Sequence, residues 1–433
     1  MRPTLFYIPH EFLGIPVLGF GWVLAAIVAF AIAVLATSRK KQSVAKVLED
    51  QGIVWGIAAV LVVFLLPQIE TRLQVEGPTP FIVGLPIRGY GVMLMCGVLS
   101  AMGIAMVRCE KAGLPREAFF SLATWTVVAG MLGARVFYVV QKWNELAGET
   151  LREKLWTAVQ VTEGGLVVYG SVIGGLIAIA FWSRKNRFPL LVIADCVTPA
   201  FFIGLAFGRI GCLLNGCCYG GLCETSLPSI TFPAGSPAYM DQMGSGKLFG
   251  IDAASDATGT SAPVVVQVRP NSWAAENQIQ AGQKLVAIRE RMVDGPSQIN
   301  SIASPVYEAT IQVDSRQFQL AGDAMPQRSI AVHPSQIYAA VSGLMLCLWT
   351  ILFSMIVKRT GMVIGVGLIA YGVQRIIEEI IRVDEAGQFG TSLSIAQWIS
   401  MAGILLGIGL VVRSLLRAES VEPVNSSYPK SLL

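Results

Sequence analysis

Charged residues are scarce in this chain. Of its 433 residues only 14% are charged, whereas 54% are hydrophobic and the mean hydropathy is +0.61. Soluble domains carry about 25% charged residues. The composition therefore excludes a soluble enzyme and a disordered scaffold, and it indicates an integral membrane protein.

Histidine is almost absent as well. Only His10 and His333 occur, and there is no H-E-x-x-H sequence, which excludes a His-rich metal centre and a zincin site. The sequence also lacks a C-x-x-C motif, which argues against a thiol–disulfide carrier. No Walker or Rossmann context surrounds its glycine-rich stretches, so a nucleotide-binding loop is not expected.

Long apolar runs take the place of the missing charge. A helix needs roughly 20 apolar residues to cross a bilayer. Nine runs of about this kind are Gly14–Ala36, Ile53–Pro67 (which is short), Ile87–Val107, Phe119–Val140, Gly165–Trp182, Leu190–Leu213, Ile337–Val357, Met362–Ile381 and Ile395–Val412. The first run lacks a basic segment before it, so we interpret it as a retained span and not as a signal peptide. The predicted fold class is an all-α polytopic membrane protein of about nine transmembrane helices.

The distribution of positive charge predicts the orientation of these spans. Lys and Arg concentrate in alternate loops, for example at Arg39, Lys40 and Lys41 and again at Arg184 and Lys185. Cytoplasmic loops carry such an excess, which places the N-terminus outside and the C-terminus in the cytoplasm. The net charge of +4 thus records topology, and no nucleic-acid partner is expected.

One long connection, residues 221–332, interrupts the spans. It has 112 residues, no apolar run of membrane length, and a predicted position outside the cell. A strand, a short helix, a glycine turn and another strand, from about Pro263 to Leu320, resemble a PDZ-like module; an unrelated small β domain is the alternative. The predicted organisation is two additional spans in 1–86, a membrane core in 87–220 and 333–412, the insertion, and a cytoplasmic tail in 413–433.

Ionisable residues inside membrane spans are functional candidates by default. Arg375 and Glu379 are four residues apart, so they share a helix face and are expected to pair, with Arg382 extending the polar stripe. A structural ion pair is the plain alternative to a functional site. The other ionisable residues within the spans are Arg135, Asp195, Arg209 and Glu378.

The predicted topology places polar groups from six spans at one depth, near the outer face. They are Tyr90, Arg135, Tyr169, Arg209, the segment from His333 through Ser335 to Gln336, and Arg375 with Glu379 and Arg382. Several cations at the outer face indicate a pocket for an anionic lipid headgroup, because the arginine fork binds phosphate in a bidentate manner. The glycines of "EGGLVVYGSVIGG" and "GRIGCLLNGCCYGG" fit either substrate approach or close helix packing.

The eight cysteines divide into two groups. Cys96, Cys109, Cys196 and Cys347 are dispersed in or beside spans and are expected to be inert. Cys212, Cys217, Cys218 and Cys223 cluster at the predicted outer boundary in the spacing C-x4-C-C-x4-C, which is not a standard zinc pattern. An oxidising exterior favours a structural disulfide within this cluster over redox chemistry.

Four motifs in order resemble those of the prolipoprotein diacylglyceryl transferases. "GRIG" at 208–211 with Asn215, Gly216 and Gly220 is similar to that family's G-R-x-G-N-F-x-N-G-E-x-x-G. "RGYGVM" around Tyr90 is similar to its first-span tyrosine motif, "HPSQIY" at 333–338 to its H-P-S-Q-L-Y-E, and "YGVQRIIEEIIR" at 371–382 to its Y-G-x-x-R-x-x-x-E-x-x-R. The resemblance covers seven of the nine predicted spans, from about Ile87 to Val412.

The sequence departs from the family pattern at four side chains. Tyr169 stands where the family has a histidine often assigned as the base, Cys212 replaces the signature asparagine, Cys217 replaces its glutamate, and Ala339 replaces the glutamate that closes the HPSQ motif. The family roles of those side chains therefore cannot be carried over.

The resemblance implies a lipid transfer reaction at the bacterial inner membrane, with the active site facing outward. The thiol of a prolipoprotein lipobox cysteine attacks the glyceryl carbon of phosphatidylglycerol, and glycerol phosphate leaves. Arg209 is expected to bind the phosphate. Further substrate-binding candidates are Tyr90, Asn215, Gly220, Arg135 and Arg382. The substrates and the surrounding membrane lipids are the expected partners.

Catalytic roles are expected for Tyr169, Arg375 and Glu379. Arg375 would be a second phosphate donor, and Glu379 would orient it or accept a proton. Because phenols ionise at about pH 10, Tyr169 is expected to donate a hydrogen bond, although a neighbouring arginine would favour its role as a base. His333 and Gln336 are supporting candidates, and no metal or other cofactor is expected.

Two other function classes remain as alternatives. One is an intramembrane protease with a regulatory PDZ-like domain, against which the missing H-E-x-x-H counts. The other is a non-catalytic lipid-binding or transport protein derived from the same family, which the replaced histidine keeps open.

Overall fold

The computed structural model of this chain describes residues 4–38, 55, 59–66, 71–73, 81–143, 146, 150–159, 167–223, 228–254, 263–294, 306–382, 391 and 393–417. The chain divides into two compact units. The first unit contains Met1–Met93 and Ile210–Gln336, and the second unit contains Leu94–Arg209 and Ile337–Leu433. The long helices fall mainly in the second unit, whereas the first unit holds the insertion.

The described helices and strands, in chain order, are β1 (Thr4–Pro9), β2 (Glu11–Phe12), β3 (Ile15–Pro16), α1 (Trp22–Ser38), β4 (Thr71–Leu73), β5 (Phe81–Arg88), α2 (Gly89–Lys111), α3 (Arg116–Gln141), α4 (Leu151–Val159), α5 (Val168–Lys185), α6 (Leu190–Asn215), α7 (Pro237–Gly244), β6 (Ile251–Ala254), β7 (Val264–Val268), α8 (Trp273–Glu276), β8 (Leu285–Asp294), β9 (Val306–Val313), β10 (Arg316–Leu320), α9 (Ser335–Ile356), α10 (Met362–Ile381) and α11 (Ile395–Leu416). A short π-helical turn spans Leu61–Leu65. Two 3₁₀ turns span Lys247–Phe249 and Gly322–Ala324.

Helices α2, α3, α5, α6, α9, α10 and α11 lie at seven of the nine predicted spans. Among the described residues, five helices are long and apolar enough to cross a membrane, namely α2, α3, α6, α9 and α11. A mostly helical, polytopic membrane architecture follows. It results from long apolar runs, because a bilayer leaves backbone polar groups no partner outside their own helix.

The N-terminal region differs from the predicted two spans. The first helix starts at Trp22 and not at Gly14, because the segment before it turns at Gly14 (φ 75°) and Gly19 (φ 70°) and forms the β2–β3 ribbon. Within the second predicted span, Ile53–Pro67, residues 55 and 59–66 are described and include the π-helical turn Leu61–Leu65, whereas residues 53–54, 56–58 and 67 lie outside the described residues.

The mostly helical fold agrees with the predicted class, but strands also lie outside the insertion, where none was predicted. Strand β5 pairs antiparallel with β1 and with β4, so a three-stranded sheet precedes α2. Ile87, the predicted start of the third span, therefore belongs to a strand. The apolar and β-branched residues of β5 suit a strand as well as a membrane helix, which is why hydropathy did not distinguish the two.

The insertion has a hydrophobic core of its own. The predicted order of strand, short helix, glycine turn and strand is present as β7, α8, Gly282 (φ 94°) and β8. Strand β9 pairs with β8 and β10, and β7 pairs with β6. The core includes Phe249, Val265, Leu285 and Ile311, all nearly inaccessible to solvent. The likeness to a PDZ module stays a prediction.

Small residues allow α3 and α5 to approach closely within the second unit. A Cβ atom added at Gly133 would lie 2.4 Å from the Gly170 carbonyl oxygen, and one at Gly174 would lie 2.2 Å from the Ala129 carbonyl oxygen. Such contacts exclude any larger side chain. The glycines of "YGSVIGG" thus serve helix packing, one of the two interpretations of that motif.

Asp195 has a structural role in the second unit. Its carboxylate accepts hydrogen bonds from the backbone N–H groups of Gly361 (2.6 Å) and Ile364 (2.8 Å), at the N-terminus of α10. Gly361 offers no side chain for this purpose, so Asp195 of α6 caps the helix in its place. This buried aspartate is therefore explained by helix capping, without a catalytic role.

Candidate active site

Arg375 and Glu379 form the ion pair that their spacing predicts. Arg375 Nη1 lies 2.6 Å from Glu379 Oε2, and the two side chains are only 11% and 5% exposed. Neither carboxylate oxygen of Glu379, nor Arg375 Nη1, has a hydrogen bond of normal geometry to a described residue. Buried polar atoms almost always find such a partner. The pair thus has spare donor and acceptor capacity for a ligand.

Arg209 lies near the end of α6 and is partly buried. Its guanidinium lies within electrostatic reach of Tyr371 and Glu378 on α10. In the part of the chain that the structure describes, this guanidinium has no hydrogen-bond partner. The Glu378 carboxylate offsets part of the guanidinium's charge, while the N–H groups of Arg209 are not used by any described residue.

Tyr371 interacts electrostatically with several of these groups, although the sequence did not single it out. Its hydroxyl is within electrostatic reach of Arg209, Arg375, Glu378 and Tyr169. Its ring packs edge-to-face on Phe201, with the ring centroids 5.6 Å apart. The signal was available in the sequence, because Tyr371 opens the "YGVQR" motif that also contains Arg375.

Glu378 is the second site residue without a predicted role. Its Oε1 accepts hydrogen bonds from Gln374 Nε2 and, at 3.4 Å, from Ser342 Oγ on α9. Gln374 Nε2 also donates to Ser342 Oγ at 2.8 Å. These bonds hold the Glu378 carboxylate against α9, whereas the neighbouring Glu379 faces Arg375. The two adjacent glutamates therefore have separate partners.

Tyr169 is the second residue of α5, and its side chain is 46% exposed. The close contact between α3 and α5 at Gly170 fixes the backbone on which Tyr169 stands. Its electrostatic interaction with Tyr371 places it near the arginines of the second unit. Tyr169, Arg209 and Arg375 thus all interact electrostatically with Tyr371, and Arg375 pairs with Glu379.

Arg135 and Arg382 have other surroundings. Arg135 donates two hydrogen bonds of 2.8 Å, to the carbonyl oxygens of Thr157 and Ala158 at the end of α4, and lies over the ring of Tyr138. A positive charge is favourable at the C-terminus of a helix. Arg135 therefore supplies hydrogen-bond donors to the carbonyl oxygens at the end of α4. Arg382 is the C-cap of α10, and its guanidinium is within electrostatic reach of Glu378.

The remaining predicted residues, Tyr90, Asn215, Gly220, His333 and Gln336, lie in the first unit. A Cβ atom at Gly211 would lie 3.0 Å from Tyr90 Cδ2, so the signature glycine admits the Tyr90 ring. Asn215 is the last residue of α6, and its side chain hydrogen-bonds to Cys217.

The "HPSQ" segment holds the loop that follows α6. Gly220 N–H donates to the His333 carbonyl oxygen (2.9 Å), Ser335 Oγ donates to the Cys218 carbonyl oxygen (2.8 Å), and Gln336 Nε2 donates to the Cys217 carbonyl oxygen (2.8 Å). Each of these hydrogen bonds is accepted by a backbone carbonyl oxygen. The segment thus positions the loop backbone, in agreement with a supporting role.

The cysteines differ from the expected disulfide. All eight are free thiols, and the Sγ atoms of Cys212, Cys217 and Cys218 lie within 4.8 Å of one another. Hydrogen bonds from the thiols of Cys212 and Cys218 lower the pKa of Cys217 below the ordinary value of a thiol. Cys223 is not part of this group; its Sγ lies 3.9 Å from the Pro228 carbonyl oxygen.

Comparison with known proteins agrees with the four motifs. A model of the prolipoprotein diacylglyceryl transferase family matches residues 78–413. A phosphatidylglycerol–prolipoprotein diacylglyceryl transferase of Rhodopirellula baltica is 34% identical over 99% of this chain and 92% of its own length.

Two clostridial relatives of the same description match less of the chain. The one from Clostridium tetani is 24% identical over 75% of this chain and 92% of the relative. The one from Clostridium perfringens, described as transferase 2, is 36% identical over 36% of this chain and 59% of the relative. The family match and the full-length relative together decide the classification: this chain belongs to the prolipoprotein diacylglyceryl transferase family.

Proposed function

We propose that this chain transfers the diacylglyceryl group of phosphatidylglycerol to the lipobox cysteine of prolipoproteins and releases glycerol phosphate. The observation that carries the proposal is Arg209, a partly buried guanidinium without a hydrogen-bond partner among the described residues, close to the Arg375–Glu379 pair. Such a guanidinium fits the phosphate of a lipid headgroup. Membership of the family supports the choice of reaction.

In this mechanism the arginines stabilise the leaving group. Arg209 binds the phosphate of phosphatidylglycerol, and Arg375 supplies a second donor as negative charge develops on the departing glycerol phosphate. Glu379, at 2.6 Å from Arg375, keeps that guanidinium oriented. The low dielectric of a buried site strengthens these interactions relative to water.

Tyr169 acts in this mechanism as a hydrogen-bond donor and not as the base. Its exposed hydroxyl, near Tyr371 and the arginines, is available to a substrate oxygen. Tyr90, Asn215, Gly220, Arg135 and Arg382 are proposed to contact phosphatidylglycerol, with His333 and Gln336 in support. For Arg135 this requires a shared role, because its guanidinium already donates to two carbonyl oxygens.

The proposed setting is the inner membrane of a bacterium. Nine spans run with the N-terminus outside and the C-terminus in the cytoplasm, and the active site and the insertion face outward. The concentration of Lys and Arg in alternate loops supports this orientation. Alkaline phosphatase fused within residues 255–260 should be active and a fusion at Asn186 inactive; the reverse result would invert the topology.

The reaction is tested with purified protein, phosphatidylglycerol vesicles and a synthetic lipobox peptide. Mass spectrometry should show the peptide gaining one diacylglyceryl group. Arg209→Ala should lower the rate by about 100-fold or more, because a donor to transition-state charge is lost. Arg184→Ala is the matched control, because Arg184 is an exposed arginine in the last turn of α5. Full activity of Arg209→Ala, also in cells depleted of their own transferase, would refute the assignment.

A non-catalytic lipid-binding protein of the same family is the second candidate. The observation that favours it is the replacement of family side chains by Tyr169, Cys212, Cys217 and Ala339. It predicts that the protein binds phosphatidylglycerol but leaves the lipobox peptide unmodified in the same assay.

A further inference from the structure

Three thiols form a cluster, and two of them, Cys212 and Cys217, replace residues of the family signature. Cys212 is in the last turn of α6, and Cys217 and Cys218 are in the loop that follows. Their Sγ atoms all lie within 4.8 Å of one another. Tetrahedral zinc with zinc–sulfur bonds of about 2.3 Å places its sulfur ligands about 3.8 Å apart. Movements of about 1 Å or less would therefore complete such a geometry.

The backbone around the thiols is held in place from both sides. Gly216 turns the chain with φ of 78°, and a Cβ atom there would lie 3.1 Å from both Phe232 and Ser236. Cys218 itself has a positive φ of 57°. The carbonyl oxygens of Cys217 and Cys218 accept hydrogen bonds from Gln336 and Ser335. The loop thus presents its thiols on a fixed support, as metal sites require.

The cluster supplies three ligands and leaves a fourth position open. Among the described residues no other cysteine, histidine or carboxylate joins the group. Structural zinc sites use four protein ligands, whereas catalytic sites use three and keep a position for water or substrate. Thiolates also select soft or borderline cations such as zinc over magnesium or calcium.

We propose that Cys212, Cys217 and Cys218 bind a zinc ion whose fourth ligand is the thiol of the substrate cysteine. The inference rests on the proposed function and deepens it, because it answers how the nucleophile is made without the family histidine. Zinc deprotonates a coordinating thiol at neutral pH, so no protein base is required at Tyr169.

Each bond that forms in this step is matched by a bond that breaks. On binding zinc the peptide thiol loses its proton to solvent, and the zinc-bound sulfur forms a bond to the glyceryl carbon. The carbon–oxygen bond to the phosphate breaks, and its electron pair leaves with glycerol phosphate. The product sulfur is a neutral thioether, a weak ligand that leaves the zinc.

The metal site is tested first by binding alone. Full-length protein, purified under reducing conditions, is titrated with Co²⁺ as a spectroscopic probe for zinc. One equivalent should produce sulfur-to-cobalt charge-transfer absorption and tetrahedral visible bands, and Zn²⁺ should displace it. The triple variant Cys212→Ser, Cys217→Ser, Cys218→Ser should lose the spectrum, whereas Cys96→Ser should retain it. An absent spectrum, or a disulfide between two of the three thiols in protein isolated from membranes, would overturn the proposal.

The open position is tested with two peptides. A lipobox peptide should shift the visible bands of the cobalt protein and bind at least ten-fold more tightly than to metal-free protein. The same peptide with serine in place of its cysteine should do neither. Equal behaviour of both peptides would show a purely structural metal and contradict the proposed role.

Activity then separates this inference from the proposed function. Removing the metal should lower lipidation at least 100-fold, and Zn²⁺ should restore it. Full lipidation by metal-free protein would overturn the zinc site but leave the transferase intact. If the protein binds cobalt and the cysteine peptide but never lipidates the peptide, both the transferase function and the catalytic role of the metal are refuted. The metal site itself would stand.

Discussion

Arg209 and Arg375 differ in what already neutralises them. Arg375 has Glu379 at 2.6 Å, whereas Arg209 has no hydrogen-bond partner in the described part of the chain. In the proposed mechanism Arg209 therefore makes the first contact with the incoming phosphate, and Arg375 is held in position by Glu379. Both side chains were candidates from the sequence, but their division of roles depends on contacts that no spacing reveals.

Replacing Arg209 by lysine should test whether the planar fork matters. Arg209→Lys keeps the charge but loses bidentate geometry, so kcat/KM for phosphatidylglycerol should fall by about tenfold or more. Steady-state kinetics in detergent micelles measures this, with Arg184→Lys as the control. An unchanged kcat/KM would mean that Arg209 acts only as a point charge.

Tyr169→Phe should be a mild change. A hydrogen bond from a neutral hydroxyl contributes about 1 kcal/mol, so the loss in kcat should be about tenfold or less, whereas loss of a general base costs about 10²–10⁴-fold. The comparison variant is Tyr7→Phe, on strand β1. A loss of more than 100-fold would restore Tyr169 as the proton acceptor and remove the need for another.

At the scale of the elements, α10 depends on a residue far from it in the sequence. Asp195→Ala would leave the Gly361 and Ile364 N–H groups without their acceptor and should destabilise the protein by about 2 kcal/mol. Asp195→Asn, which keeps one carbonyl oxygen, should cost less. Thermal unfolding in detergent measures both. Ser394→Ala removes the side chain that caps the N-terminus of α11. It serves as a reference, with an expected loss of about 1 kcal/mol in the free energy of unfolding.

The contact between α3 and α5 should not tolerate a methyl group. Gly133→Ala puts a Cβ atom 2.4 Å from the Gly170 carbonyl oxygen, so the helices must separate and the thermal midpoint should fall. Gly403→Ala on α11 is a matched control, because nothing lies within 4 Å of its added Cβ atom. Since alanine favours helix over glycine by about 1 kcal/mol, the control should be neutral or slightly stabilising. Equal midpoints would refute close packing at Gly133.

At the scale of the whole molecule, the insertion is separable because its ends meet. Pro233 forms an antiparallel bridge with Arg328, and the Ala234 N–H donates to the Gln327 carbonyl oxygen. The insertion's own core lies between these points. This closure lets a large domain stand between α6 and α9, and its first helix, α7, begins next to the cysteine loop, where the Ala238 N–H donates to the Gly216 carbonyl oxygen.

Replacing residues 247–323 with a flexible glycine linker keeps Ser236, Ala238 and Asp241 against the cysteine loop, so lipidation of a short lipobox peptide should stay within about threefold of the full chain. Lipidation of full-length exported prolipoproteins should fall more, because we expect the insertion to guide these chains to the site. Pulse labelling in cells and the peptide assay measure the two. Unchanged lipidation of every prolipoprotein would show that the insertion has no guiding role.

The sequence by itself determined the membrane class, seven of the helices, the succession of strand, short helix, glycine turn and strand within the insertion, and the family. These features follow from composition, from apolar runs and from motif order, all of which are local along the chain. It also determined the Arg375–Glu379 pair, because four residues are one helical turn.

Only the tertiary structure decided which polar groups are free, which are capped and which cluster. Asp195 was a functional candidate only as an ionisable residue within a span, and it caps α10. Arg135 donates to the end of α4, and Tyr371 interacts with the arginines. The cysteine spacing fitted no zinc pattern, yet the turn at Gly216 gathers three thiols. Burial and hydrogen bonding depend on groups distant in sequence, which is the physical reason that scarce charge could indicate a membrane but not how each charge is used.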